Sequence, residues 1–557
     1  GSVVAYDYTY VLGSSDPAYP LTIDGAPVSR TKDGYFSLYL PLDEEVNTFT
    51  FSQNGVDTDY TIKTKSEPKS EAKPASTADY VITSVTPSYD YMSAGDEYLT
   101  VTAMAPAGSK VTVTLSDQTV RLEQKTFPEG KGEGKYLTAQ YAGSIRLPRG
   151  TEGKLTSLGN VVFTATKGSE KATKHGGKVR LLISSDLYAV EVIKENSDLK
   201  IATDSWFYDD YTSASVGMRD YAVYQSSGYY KLRMGGYIEA DNVKVLDAGT
   251  VVKTGVMSSV GMSVTAKETV LSFDMGENLP MNGFIENGEF VFCFYNMDIS
   301  SAKLPKLMEN PLFSEIRGEQ SARAGAYRYY LKLKDPDNFY GFEFRYDNGT
   351  VNVVFRNPQT LAFGDLPLAG KTIVVDAGHG GKDSGAVGPR SDYTEADMNL
   401  DISLSLAEKL TALGAEVILT RDEDETFEVM DRVAMLDEIR PDLAISVHQN
   451  SMLYNADITK IRGLVALHFA ESGSLLTKCV SSSLSDALNR YERTPASQRL
   501  ALVRNPKFPS TLVEVGFITC VEEYDKMYSE SAINQAAQGL ADGILDYYRA
   551  QEAYVMK

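Results

Sequence analysis

The sequence is poor in the residue types that most often announce a function. Cysteine occurs three times (Cys293, Cys479, Cys520), histidine four times and tryptophan once in 557 residues. Three widely separated cysteines exclude a disulfide framework and a cysteine-based zinc finger, and they are read as buried free thiols. Lys and Arg are also scarce, 54 against 75 Asp and Glu, giving a net charge of −21. With no basic stripe interleaved with aromatics, this excludes a nucleic acid partner, whose phosphates need clustered cations. No apolar run reaches the roughly 18 residues that span a bilayer, so no transmembrane segment is expected. The chain opens on Gly1-Ser2, with no Met and no signal peptide. That start is read as a cloning remnant on a mature secreted protein.

What is present is a long, globular chain, 43% apolar and 23% charged, with 35 tyrosines. Its length exceeds one core, and about three to five domains are expected. Tyr, Val, Thr and Gly dominate the first two thirds, which favours strands and tight turns. Residues 1–63 alternate strands with Asp-Gly turns at Asp24-Gly25 and Asp33-Gly34, a pattern that resembles small immunoglobulin-like modules. Residues 64–78 (KTKSEPKSEAKPAST) have no large apolar residue and read as a linker. Residues 79–182 read as a second β-sandwich, with clean alternation over Val111–Leu115. Residues 187–248 carry Trp206 and the aromatic run Tyr229-Tyr230 and Tyr237, which resembles an SH3-like barrel; structural packing explains those aromatics equally well. Residues 249–365 form a further β-rich block.

The pattern changes near residue 369, and the domain that follows is placed at 369–553. Lys371–Asp376 is an apolar strand core. Residues 395–413 place Leu400, Leu404, Ala407, Leu410 and Leu413 on one helical face, with Thr394 as N-cap, Asp397 three residues on, and Gly414 as the stop. Strands at 415–420, 442–448, 463–469 and 511–515 alternate with helices at 427–439, 475–491 and 531–548. Repeated βα units predict a mostly parallel sheet with helices on both faces. The whole is then multidomain, with all-β modules followed by one α/β domain.

Two of the four histidines lie at strand ends in that domain. His379 follows KTIVVD within DAGHGG, and His448 ends DLAISV. In an open α/β sheet the carboxyl ends of strands face the binding crevice, so both imidazoles are expected in one cleft. Glu395 opens the first long helix, where a carboxylate also serves the helix dipole. Glu514 sits in the apolar strand Thr511–Val515, where an unpaired charge is costly. A lone histidine is ordinarily a satisfied core residue. Two His and two Glu at sheet ends of one domain instead suggest a catalytic metal, since two His and a carboxylate leave a position open for water. DAGHGG is no phosphate loop, because it lacks both the P-loop Lys and the GxGxxG spacing.

These segments also resemble a known family. Val375–Gly388 (VDAGHGGKDSGAVG), Glu395–Leu400 (EADMNL), Val417–Asp422 (VILTRD), Ser446–Asn450 (SVHQN), Leu502–Arg504 (LVR) and Pro509–Ile518 (PSTLVEVGFI) are similar, in order and spacing, to the zinc N-acetylmuramoyl-L-alanine amidases. The resemblance covers about a third of the chain. It implies a Zn2+ site of His379, Glu395 and His448, with Glu514 as the catalytic general base acting on zinc-activated water. The bond implied is the amide between N-acetylmuramic acid and L-alanine of the stem peptide. Arg421, Asn450 and Arg504 match further motif positions; for Arg421 an ion pair holding the next loop stands beside substrate contact. Cys520, Leu436-Asp437 and Gln449 depart from the usual residues, and none is expected to touch a proposed ligand. The partner implied is peptidoglycan, with cell-wall attachment through the β modules, and the location secreted or wall-associated. Two alternatives stand: a wall-binding surface protein with an inactive amidase fold, or a zinc hydrolase of another peptidoglycan amide.

Overall fold

The computed structural model describes residues 2–4, 7–64, 80–88, 91–93, 95, 97–125, 138–151, 154–181, 188–195, 197–200, 210–226, 228–247, 250–321, 325–453, 456–459 and 461–555. The expected linker, apart from Thr64, and Trp206 lie outside these residues.

Among the described residues upstream of 360, the chain forms strands, with only short 3-10 turns at Ala240–Asn242 and Ile299–Ser301. The first module joins a five-stranded sheet to a two-stranded antiparallel ribbon of Tyr8–Ser14 and Tyr35–Pro41. Its Asp24-Gly25 turn carries positive φ at both residues, the geometry a two-residue hairpin needs. Strands between Ser84 and Leu181 hydrogen-bond into one eight-stranded sheet curled around a single apolar core. The alternation at Lys110–Leu115 is seen directly, with Val111, Val113 and Leu115 buried. A seven-stranded sheet spans Tyr188–Val245. Two four-stranded antiparallel sheets then face each other between Ser259 and Arg356, around Phe273, Phe290, Phe292, Phe294 and Phe355.

The C-terminal domain is a mixed, mostly parallel α/β sheet, as its periodicity predicts. Within it we number β1 (Thr372–Ala377), α1 (Glu395–Ala412), β2 (Glu416–Leu419), α2 (Val429–Ile439), β3 (Leu443–Asn450), β4 (Val465–His468), α3 (Ser474–Leu488), β5 (Ala496–Ser497), β6 (Ser510–Phe517), α4 (Val521–Tyr524) and α5 (Glu530–Val555). The sheet order is β2-β1-β3-β6-β4-β5. Strands β2, β1, β3 and β6 are parallel, and β4 runs antiparallel to β6. The core is aliphatic: Ile373, Val375, Ile445 and Val513 from the sheet meet Leu406, Val480 and Leu540 from α1, α3 and α5. Both ends of α1 behave as read. Thr394 and Asp397 form a capping box, and Gly414 follows at φ +94°. Helix α3 ends three residues earlier than expected because Asn489 turns left-handed, and α5 extends seven further.

Upstream modules touch both ends of this sheet. At the amino end of β6, two modules meet the loop before the strand: Phe342, from the facing four-stranded sheets, donates its N–H to the Pro506 carbonyl, and Lys507 pairs with Glu195 of the seven-stranded sheet module. Near its carboxyl end, the first module inserts Tyr35 beside Tyr524. Among the described residues, no helix is long and apolar enough to cross a membrane.

Candidate active site

Strand β1 delivers the chain into the turn Gly378-His379-Gly380. His379 adopts φ +60°, a left-handed conformation uncommon outside glycine, which aims its ring across the sheet edge. A Cβ on Gly378 would lie 2.3 Å from the His448 ring, so only glycine lets the two elements approach. The loop is closed by reciprocal backbone bonds between Gly380 and Asp383. Glu395 is the first residue of α1, where the helix dipole favours a carboxylate. His448 and Glu514 are register partners on the parallel strands β3 and β6, so both side chains leave the sheet on the same side.

The structure brings His379, Glu395 and His448 together. Glu395 Oε1 lies 3.2 Å from His379 Nε2 and 3.0 Å from His448 Nδ1. One ligand atom from each residue falls within 4.8 Å of the others. Neighbouring ligands on a tetrahedral zinc with bonds near 2.1 Å sit about 3.4 Å apart, so the spacing suits that ion. His379 Nδ1 meets Asp383 Oδ2 at 2.8 Å, which fixes the ring and leaves Nε2 facing the cluster. Burial would push the Glu395 carboxyl up, but the two imidazoles hold it well below the usual carboxylate range. Burial opposes protonation of His379, yet Glu395 and Asp383 raise it to about 9. Both shifts express one fact: the cluster attracts positive charge, which a divalent cation supplies. Two imidazole nitrogens and one carboxylate oxygen are also a donor set that zinc accepts.

Glu514 is different. Its Oε2 is buried with no hydrogen-bond partner, and burial is the main cause that pushes its carboxyl up to about 7. His448 pulls that value down and Glu395 pushes it up. A native structure rarely leaves a buried carboxylate oxygen unsatisfied without a purpose.

Several supporting residues escaped the sequence reading. Asp376 accepts from Thr420 Oγ1 at 2.7 Å, Ser446 Oγ at 2.5 Å and Arg432 Nη1 at 2.7 Å, which locks β1 to its neighbours behind the cluster. Asp383 was equally silent; its only signal is that it stands four residues after His379. Glu523 accepts from the amides of Gly463 and Phe517 and holds the loop after β6. Gln449 corrects an expectation: its backbone N–H donates to Glu395 Oε1 at 3.1 Å, so this position does touch a proposed ligand, through the main chain.

Arg421 is buried, and its guanidinium donates to the carbonyls of Ala377, Gly378, Ala396 and Glu423. It ties the His379 turn to α1 and holds the following loop at the Glu423 carbonyl, through carbonyls in place of the expected ion pair; a separate buried ion pair joins Arg432 to Asp376. Asn450 links the ends of β3 and β6 by accepting the Ile518 amide on its carbonyl. Arg504 is not brought to the cluster; it lines a cavity of about 380 Å³ with Phe342, Phe344 and Lys507, toward the amino end of β6.

Fold and site together define a hydrolase with a zinc-type centre at the carboxyl edge of an α/β sheet. Residues 373–546 match the family described as N-acetylmuramoyl-L-alanine amidase. YqiI of Bacillus subtilis, which is uncharacterised, is 34% identical over 182 residues, covering 33% of this chain and 87% of that protein. LytC of Bacillus subtilis, an N-acetylmuramoyl-L-alanine amidase, is 31% identical over 183 residues, 33% of this chain but only 36% of LytC. Among solved structures, the N-acetylmuramoyl-L-alanine amidase AmiC2 of Nostoc punctiforme shares 32% identity over 32% of this chain and 99% of that one, with a TM-score of 0.31. Through its last third, the chain belongs to the N-acetylmuramoyl-L-alanine amidases, a family of cell-wall hydrolases, and its His-Glu-His cluster is of that family's zinc type.

Proposed function

We propose that this protein hydrolyses peptidoglycan at the amide joining the lactyl group of N-acetylmuramic acid to L-alanine. In this reading His379, Glu395 and His448 would hold a zinc ion, and Glu514 would be the general base. The observation that carries this reading is the buried, unpartnered Oε2 of Glu514 beside a clustered His-Glu-His set. Zinc, when bound, supplies Lewis acidity that polarises the amide carbonyl and brings the pKa of water to about 7. As water adds to that carbonyl, Glu514 takes its proton. The C–N bond then breaks, and Glu514 returns the proton to the departing L-alanine nitrogen. A carboxyl near 7 suits both halves of this exchange, since it accepts and releases a proton close to neutral pH. Asp383 keeps the His379 ring oriented throughout.

We further propose that the enzyme acts outside the membrane, secreted or bound to the wall. In this reading, residues 1–63, 79–182, 187–248 and 249–365 are separate modules of immunoglobulin-like and SH3-like character that attach the catalytic domain, residues 369–553, to the wall. Mass spectrometry of purified peptidoglycan digested with and without a chelator tests the bond. Release of stem peptides with a free L-alanine amine, lost on chelation, is expected. Products cut within the stem would indicate another amide, and binding without cleavage an inactive fold.

A further inference from the structure

Among the described residues, the first module meets the catalytic domain close to the loop that steadies Glu395. Tyr35, in the strand Tyr35–Pro41, is 5% exposed although it lies at the edge of its own module. It is buried in a cluster with Met398, Ile518, Tyr524 and Met527 of the catalytic domain. Its ring meets Tyr524 edge-on at 5.2 Å and Tyr528 at 5.7 Å. Two hydrogen bonds flank it: Thr31 Oγ1 donates to Asp525 Oδ1 at 3.0 Å, and Tyr528 OH donates to Asp33 Oδ2 at 3.1 Å.

The catalytic-domain side of this contact leads to the cluster in two short steps. Ala386 packs against the same apolar group. Its N–H donates to Glu395 Oε2 at 2.8 Å, and its carbonyl accepts the Glu395 N–H at 3.0 Å. Two residues on, the loop passes so close to Tyr524 that a Cβ on Gly388 would lie 2.6 Å from that ring. Met398, fully buried in the same group, stands one turn after Glu395 on α1. The loop from Gly385 to Gly388 is therefore held between Glu395 on one side and the Tyr524 ring, backed by Tyr35, on the other.

We infer that Tyr35 is a positioning residue for Glu395: the first module acts as a wedge that keeps the Ala386 loop, and through it the metal-holding carboxylate, in place. The inference rests on the reading of Glu395 as a zinc ligand. Outer partners of metal ligands are worth about 10- to 100-fold in affinity. Tyr35 acts further out, behind the Tyr524 ring, so an effect near the lower end is expected.

The test measures zinc affinity of the full chain by competition with a chromogenic chelator, alongside turnover at saturating zinc. Tyr35→Ala should weaken zinc binding by about ten-fold and lower turnover, while Tyr35→Phe, which keeps the ring, stays within about two-fold of wild type. Tyr39→Ala, on the same strand but half exposed, should change neither. If Tyr35→Ala does not fold, the pair Thr31→Val with Asp33→Ala removes the two flanking cross-domain hydrogen bonds, and the Thr31 hydroxyl that accepts the Tyr35 N–H, while keeping the Tyr35 ring, and should weaken zinc binding by about two- to three-fold. Wild-type affinity and turnover in Tyr35→Ala, or in that double variant where it is used, would overturn the wedge. A wild-type chain that binds no zinc would instead overturn the reading of the site.

Discussion

Two regions of one sheet each bury a carboxylate, and they treat it in opposite ways. At the end of β1, Asp376 is surrounded by Thr420, Arg432 and Ser446. Burial pushes its carboxyl up, but the Arg432 charge and the Ser446 hydroxyl hold it below the usual range. On β6, Glu514 keeps an oxygen without a partner and is pushed up to about 7. The first arrangement holds strands together. The second suits the proton acceptor proposed above, and that role would account for the cost of leaving the oxygen unsatisfied.

Substitution at either carboxylate should give a different loss. The largest effect on the Asp376 side is on stability. Asp376→Ala leaves Arg432 buried and unpaired, and a loss of about 3–5 kcal/mol is expected in denaturant melts. A loss below about 1 kcal/mol would mean that Asp376 is not the anchor described. Next, Asp383→Ala frees the His379 ring and should lower zinc affinity or turnover by about 10- to 100-fold, with little change in melting, because Asp383 is exposed. Asp383→Asn should recover part of that loss. The smallest effect concerns pH. A base must be ionised to work, and the raised Glu514 carboxyl is protonated below about 7. The rate should therefore fall as pH drops through that value, or through a lower one once a cation beside it favours the charged form. A rate flat from pH 8 to pH 5 would remove Glu514 as the titrating base.

The sequence made the catalytic domain legible because its signals are local. Thr394 and Asp397 announce a helix start three residues apart, Gly414 its end, and apolar runs such as Ile373–Val375 mark buried parallel strands. The four chemical residues stood out since histidine is scarce and a glutamate inside an apolar strand is conspicuous. What stayed hidden depends on distant contacts. Residues 79–182 read as strands, but nothing in them shows that Tyr91–Ser93 and Glu170–Leu181 pair in parallel. Nothing near Tyr35 in the chain points to Tyr524, and nothing in the spacing of Arg421 tells carbonyl partners from an anion. Gln449 was set aside on its side chain, whereas its contribution to Glu395 comes from a backbone N–H that any residue but proline would offer.

The central claim is that the unsatisfied carboxylate on β6 performs the chemistry. Its most direct test is Glu514→Gln, with zinc content, melting temperature and turnover measured on one preparation. Full zinc occupancy is expected, with melting at or above wild type because a buried charge has been removed, and turnover reduced by about 10²- to 10⁴-fold. Wild-type turnover in that variant, or loss of zinc together with activity, would contradict the claim.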